Sequence, residues 1–412
     1  MQLTLRSLLP LLLASTLTTT GLSAQGKNML FYGNSYTYYS WGYGVPELVG
    51  LIAEAAGHPS PNIVQALIGG SNLQIHATDP AQVAAITTSL PAGQTWDHVI
   101  MQENSLGATP HFGFSPTVFR NSALTIMTNV RNHSPAASAV MYQTWARAWG
   151  HMYYPAPWTD PMDMHNMVRG NYDLAVADLN AAFGAGAATK AAVGDAVALL
   201  EWDPLWYHPD KSHPGPSMTM LAAMCIYTSI YNQPVCDVDP NFPNSALALA
   251  LAPHNITESI WNLFAGLADR SAPPSNRRYP GSGDHLLMLS ATGSDPLGAC
   301  PVRHVTTGTQ VQLQIMPVNG VYNSSIGTFF VDFMLTGSPP GPSITYPELQ
   351  VNLAGAIYAP LQSLSNPYGL TFQMPFTLPG GSFLVQGVSL QGSTETGNTL
   401  FTTTDAHELI FF

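Results

Sequence analysis

Charged side chains are scarce: Asp, Glu, Lys and Arg together make up 9% of the 412 residues, against roughly 25% in an ordinary soluble domain. Lysine is nearly missing, with only Lys27, Lys190 and Lys211. The balance is acidic, 12 basic against 24 acidic residues, for a formal charge of −12. A nucleic-acid partner needs a basic face, and a membrane-surface helix draws on the same residues. This composition supplies neither. Cysteine is rare as well: Cys225, Cys236 and Cys300 are the full set. No CxxC spacing exists, which argues against a zinc site. Cys225 and Cys236 could close a small loop after a helix, leaving Cys300 over. No run reaches 18 consecutive apolar residues after the N-terminus, so no membrane-spanning helix is expected.

What is present is globular. Apolar residues make up 46%, which excludes wholesale disorder. The length suits two or three domains. Gly and Pro number 35 and 34, so turns are plentiful. The first 24 residues read as an export signal: Arg6, then the apolar Leu8 to Ala14, then the small residues Gly21-Leu22-Ser23-Ala24 before Gln25. The mature protein is therefore expected to be secreted, periplasmic or held at the cell surface.

The grammar of the chain changes near residue 272. Before it, short apolar strands alternate with helical patterns. Strands are expected at Asn28–Tyr32, Val64–Ile68, His98–Met101, Ala139–Gln143 and Ala191–Val197. Helices are expected at Val45–Ala56, Phe119–Val130, Met167–Ala182, Met218–Tyr231 and Thr257–Leu267. That alternation argues for an α/β domain over 25–271 with a parallel sheet. Residues 272–283, rich in Pro, Ser and Gly, read as a linker. Residues 284–412 hold only short β-branched or aromatic segments between turn residues, the pattern of an all-β sandwich.

Four places in the α/β part carry chemistry. Gly33-Asn34-Ser35-Tyr36-Thr37 follows the first strand, where open α/β sheets put their sites. A hydroxyl there can act as a nucleophile beside a base, although Asn-Ser also makes an ordinary turn. Asp210-Lys211-Ser212-His213 supplies a histidine with a carboxylate three residues earlier, able to hold the ring in the tautomer that takes a serine proton. A helix cap and a surface His would look the same. Gly69-Gly70-Ser71 follows the second strand and permits close backbone approach to a developing oxyanion, or is a plain tight turn. Gln102-Glu103-Asn104-Ser105 follows the third strand and offers the Asn104 amide as a further oxyanion donor, or a turn-forming Asn.

In their order, Ser, Gly, Asn and then Asp-x-x-His, the four resemble the blocks of the SGNH/GDSL hydrolase family over about residues 28–270. Asn34 and Tyr36 stand where many members have Asp and Leu. The third block lacks the family's glycine and aspartate but keeps Asn104. The fifth is met by Asp210 and His213 without departure. The resemblance implies a three-layer α/β/α fold and a serine esterase. In that scheme Ser35 is the nucleophile, His213 the general base and Asp210 its orienting acid. The oxyanion hole is formed by the Ser35 and Gly69 N–H groups and Asn104. No metal or organic cofactor is implied.

Substrate is read from other residues. Tyr36, Trp145 and Arg147 are candidates for substrate binding, with Tyr38, Tyr39, Trp41 and Tyr43 as an aromatic mouth; core aromatics would give the same pattern. Exported members of the family are often carbohydrate deacetylases. The expected substrate is thus a small ester or an acetylated polysaccharide. The alternatives are a lipase or arylesterase, an acyltransferase, or a polysaccharide-binding protein on a hydrolase scaffold. Asp160, Asp163 and His165 read as a polar loop. His208 with Asp210 and His213 lacks the third ligand and helix of a catalytic zinc site. The sequence leaves the oligomeric state and the role of the β domain open.

Overall fold

The computed structural model describes residues 26–38, 42–376 and 378–412. The expected export signal, together with Tyr39 and Trp41, lies outside these residues.

The first part of the chain builds a five-stranded, wholly parallel sheet. Its strands are β1 (Asn28–Gly33), β2 (Asn62–Leu67), β3 (His98–Met101), β4 (Ser138–Tyr142) and β5 (Ala188–Ala191), in the order β2-β1-β3-β4-β5. All of β1 is buried, while the edge strand β2 is largely not. A parallel strand covered on both faces needs such a continuous apolar run. The helices form the outer layers. On one side pack α2 (Val45–Ala55), α8 (Pro216–Tyr231) and α10 (Glu258–Ser271), and on the other α3 (Leu73–Thr78), α4 (Pro80–Thr88), α5 (Pro116–His133) and α6 (Pro161–Phe183). The short α1 (Ser35–Tyr38), α7 (Val193–Ala198) and α9 (Ala246–Leu251) complete the unit. This is the expected three-layer α/β/α arrangement.

Two local expectations change. Ala191–Val197 is not a strand: β5 ends at Ala191 and α7 begins at Val193. A short run that is apolar apart from Asp195 fits a buried strand and a buried helix equally well. The polar cluster at 160–165 is not a loop but the start of α6. Asp160 caps that helix by accepting the Asp163 N–H at 2.9 Å.

The C-terminal region is a sandwich. One sheet runs β10 (Ile357–Tyr358), β9 (Ile326–Leu335), β13 (Gly381–Ser389), β14 (Thr402–Phe411) and β7 (Val302–Val305), with β11 (Gln362–Ser363) also pairing β9. The other holds β12 (Tyr368–Gln373), β8 (Gln310–Pro317) and β6 (Leu286–Thr292). Met288, Leu313 and Ile315 from the small sheet meet Phe329, Val385 and Leu409 from the large one in a shared core. Residues on β6 alternate between two cores. Leu286 and Met288 face the sandwich, whereas Leu287 joins the α/β core, as the two-residue period of a strand requires.

The two parts are bonded together. Residues 272–283 do not run free: Tyr279 is buried, and Arg277 and the Gly281 N–H both reach the Asp405 carboxylate, at 2.9 and 2.6 Å. The disulfide is Cys236–Cys300, and the Cys225–Cys236 loop that the spacing allowed is not formed. Cys225 lies on the buried face of α8 and its thiol is free. Cys236 and Cys300 have Cα atoms 5.5 Å apart, within bonding range.

Candidate active site

Ser35 stands at the carboxyl end of the central strand β1, and its Oγ lies 2.9 Å from His213 Nε2. His213 Nδ1 lies 2.7 Å from Asp210 Oδ2. With the Nδ1 proton on the carboxylate side, Nε2 is left as the acceptor for the serine proton. The other Asp210 oxygen accepts the backbone N–H groups of Ser212 and His213, both at 2.9 Å. Burial alone would raise the Asp210 pKa, but these bonds and the His213 ring outweigh it and hold the carboxyl down at about 2. Lys211 takes a left-handed φ of 60° at the turn of this loop, a conformation that costs a non-glycine residue about 1–2 kcal/mol. The loop is closed by the Lys211 N–H on the His208 carbonyl at 2.8 Å and by Lys211 Nζ on the Gly150 carbonyl at 3.0 Å.

The other two loops converge on the same strand end. Asn34 is the hub. Its N–H donates to Gln102 Oε1 at 2.9 Å, its amide donates to the Ser71 carbonyl at 2.8 Å, and its Oδ1 accepts the Tyr36 N–H at 3.0 Å. One buried residue, through its backbone N–H and its side chain, thus ties the loops after β1, β2 and β3. Gly69 and Gly70 form the turn after β2. Gly70 has a φ of +69°, which favours glycine, while a Cβ at Gly69 would stand 2.6 Å from the Tyr38 hydroxyl, the movable end of an exposed side chain. Asn104 reaches this turn, with Nδ2 donating to the Gly70 carbonyl at 3.2 Å and Oδ1 accepting the Leu106 N–H at 3.1 Å. The second bond orients the amide so that its N–H side faces the turn.

Tyr36, Trp145 and Arg147 lie elsewhere than a substrate platform would require. All three are buried. Tyr36 stacks on Trp145 with ring centroids 4.8 Å apart, and its hydroxyl is 2.6 Å from Ser212 Oγ. Trp145 Nε1 donates to the Ser212 carbonyl at 3.1 Å. Arg147 donates to the Tyr36 hydroxyl at 2.7 Å and to Ser105 Oγ at 2.8 Å. The trio braces the His213 loop and the Asn104 loop from below. Trp149, which follows on the same segment, is half exposed, and the Ala148 N–H beside it donates to the Lys211 carbonyl at 3.0 Å. It is the tryptophan at the surface next to the Asp210–His213 loop. Tyr38 and Tyr43 are exposed to a similar degree.

Gln102, where the family has glycine, and Glu103, at the block's variable position, carry roles that the sequence pattern did not assign. Gln102 Oε1 accepts both the Asn34 N–H and the Thr37 hydroxyl, at 2.9 and 3.0 Å. Their position directly before Asn104 was the available signal. Among the described residues no group of three or more His, Cys, Asp or Glu is placed to hold a metal. No described helix is long and apolar enough to cross a membrane.

The chain resembles the SGNH/GDSL hydrolases in the order of its blocks and in the strand ends that carry them. No family model matches it, and no curated protein does. Several solved structures are similar over about half of it. A candidate SGNH hydrolase from Slackia heliotrinireducens is 23% identical, covering 50% of this chain and 100% of its own, with a TM-score of 0.39. A carbohydrate acetylesterase from Sinorhizobium meliloti is 15% identical over 50% of this chain and 98% of its own, at 0.35. A carbohydrate esterase family 3 protein from Talaromyces cellulolyticus is 14% identical over 52% and 100%, at 0.37.

Proposed function

We propose that the protein is an exported serine esterase of the SGNH type, acting on small acyl esters and foremost on O-acetyl groups of carbohydrate. The observation that carries this reading is the continuous relay from Ser35 Oγ through His213 to Asp210, at 2.9 and 2.7 Å. In the first step Ser35 Oγ attacks the ester carbonyl carbon while its proton passes to His213 Nε2. The tetrahedral oxyanion is held by the Ser35 and Gly69 N–H groups and the Asn104 amide. His213 then gives the proton to the departing alcohol, leaving an acyl-enzyme. Water, deprotonated by His213, attacks the acyl carbon and releases the acid and free Ser35.

The carbohydrate assignment draws support from Trp149, a half-exposed ring beside the His213 loop. An aromatic face there offers a sugar ring a stacking surface. The test is hydrolysis of p-nitrophenyl acetate, butyrate and octanoate by the protein and by Ser35→Ala, followed by acetyl release from acetylated xylan. Ser35-dependent turnover that falls with acyl length supports the reading. Absence of Ser35-dependent turnover and of fluorophosphonate labelling on Ser35 overturns it.

A further inference from the structure

Glu103 joins two of the three loops that carry the proposed oxyanion donors, those of Gly69 and Asn104. Its Oε1 accepts the Asn104 N–H at 2.8 Å. Its Oε2 accepts the N–H of Leu73, the first residue of α3, at 3.1 Å. A single carboxylate therefore joins the segment behind Gly69 to the residue that presents the Asn104 amide. The room for it is made by Gly107, where a Cβ would overlap the carboxylate. The side chain is 1% exposed, and no ion pair reaches it among the described residues. An unpaired carboxylate is costly to bury, and a well-packed apolar side chain would be the more stable occupant of such a position. Fold stability does not account for a glutamate here, whereas control of the two donor loops does.

We propose that Glu103 is the positioning residue of the oxyanion hole, its carboxylate holding the Asn104 backbone in register with the Gly69 turn. This rests on the esterase reading above. The groups around Glu103 are few. From α6 the Tyr172 hydroxyl accepts the Glu103 N–H at 3.2 Å. From α3 comes the Leu73 backbone, and Phe119 of α5 lines the same small cavity. Arg147, from the segment after β4, bonds Ser105 two residues along the chain from Glu103. Burial raises the Glu103 pKa to about 7, against the pull of the two N–H bonds. The ionised carboxylate offers an acceptor to each N–H. Once protonated, one oxygen becomes a donor facing a donor, and one side of the clamp is lost.

The experiment is the pH dependence of kcat and KM with p-nitrophenyl acetate for wild type, Glu103→Gln and Glu103→Asp, with fluorophosphonate labelling of each. The glutamine variant should still label Ser35, only more slowly. Its kcat should fall about 10- to 100-fold, below the loss expected for deleting an oxyanion donor outright, with KM near wild type. Its rate profile should lack the ionisation near pH 7 expected of Glu103 in wild type. The aspartate variant should recover part of kcat. A glutamine variant with wild-type kcat and profile overturns the proposal, as does raised KM at unchanged kcat. If circular dichroism shows that Glu103→Gln does not fold, Glu103→Asp decides on the same criteria: its retracted carboxylate should lower kcat and not KM. Wild type that neither labels nor turns over any ester fails the esterase reading itself, and is recognised before any variant is compared.

Discussion

The Tyr36 hydroxyl sits between Arg147 and Ser212, accepting from the guanidinium at 2.7 Å and lying 2.6 Å from the serine Oγ. Tyr36, which follows Ser35, is thereby bonded to Ser212, which precedes His213. Loss of the phenol oxygen leaves a buried guanidinium N–H without its acceptor and frees the Ser212 side of the loop. Tyr36→Phe should lower kcat about five- to thirtyfold, the equivalent of one or two buried hydrogen bonds, with KM unchanged. Steady-state kinetics on p-nitrophenyl acetate decide the point. A rise in KM alone would mean that Tyr36 touches substrate.

Asp210 keeps its carboxyl ionised to about pH 2, because the His213 and Ser212 N–H groups and the imidazole favour the charged form. A carboxylate with a lowered pKa stays charged on falling pH until that pKa is reached, so Asp210 is in working form across the whole range in which the enzyme is assayed. The acid limb of kcat/KM should therefore contain no Asp210 ionisation. Asp210→Asn should lose about 10⁴ in kcat, since an amide does not fix the tautomer that leaves Nε2 free to accept. Rate profiles between pH 4 and 9 provide the check. A kcat for Asp210→Asn within about tenfold of wild type would contradict the assignment.

Trp149 and Trp145 are four residues apart, yet one is half exposed and the other fully buried. If Trp149 is the sugar platform, Trp149→Ala should raise KM on acetylated xylo-oligosaccharides about three- to tenfold, the worth of one aromatic face. Its kinetics on p-nitrophenyl acetate should not change. Equal effects on both substrates would remove Trp149 from substrate recognition.

The contrast between those tryptophans also shows what was legible in the sequence and what was not. The nucleophile and the Asp210–His213 pair can be read because their chemistry is local. The serine follows an apolar strand, and the carboxylate precedes its histidine by one turn of loop. The central strands can be read because a sheet covered on both faces requires unbroken apolar runs. Burial of Tyr36, Trp145 and Arg147 cannot be read that way. An aromatic loop near a strand end looks alike whether its rings face solvent or the floor of the site, and only the packing of the His213 loop on top decides. Glu103 was legible in position but not in role, since its two acceptors matter only once α3 is folded beside it. The cysteine pairing depends on where the sandwich docks, which no spacing in the chain encodes. The polar start of β14 is hidden for a related reason. Thr402, Thr403 and Thr404 look like a loop, but all three are buried.

Docking of the sandwich yields a stability prediction. Arg270 at the end of α10 and Arg277 both contact the Asp405 carboxylate on β14, at 2.5 and 2.9 Å. Burial would raise the Asp405 pKa, but the two guanidinium groups outweigh it and the pKa is lowered. A carboxyl whose folded pKa is depressed contributes stability that is present above its unfolded pKa and lost as pH falls through the folded one. Asp405→Asn leaves two buried guanidinium groups without their charge partner and should cost about 3–5 kcal/mol. Cys236 and Cys300 close a 64-residue separation across the same junction. Opening that bond should cost about 4 kcal/mol by the chain-entropy relation. Urea unfolding of wild type, Asp405→Asn and Cys236→Ser with Cys300→Ser at pH 7 measures both. The Asp405→Asn deficit should then shrink as the pH is lowered below the ordinary carboxylate range, because wild type loses the same charge. A deficit that stays constant with pH would show that the aspartate acts through packing and not through its charge.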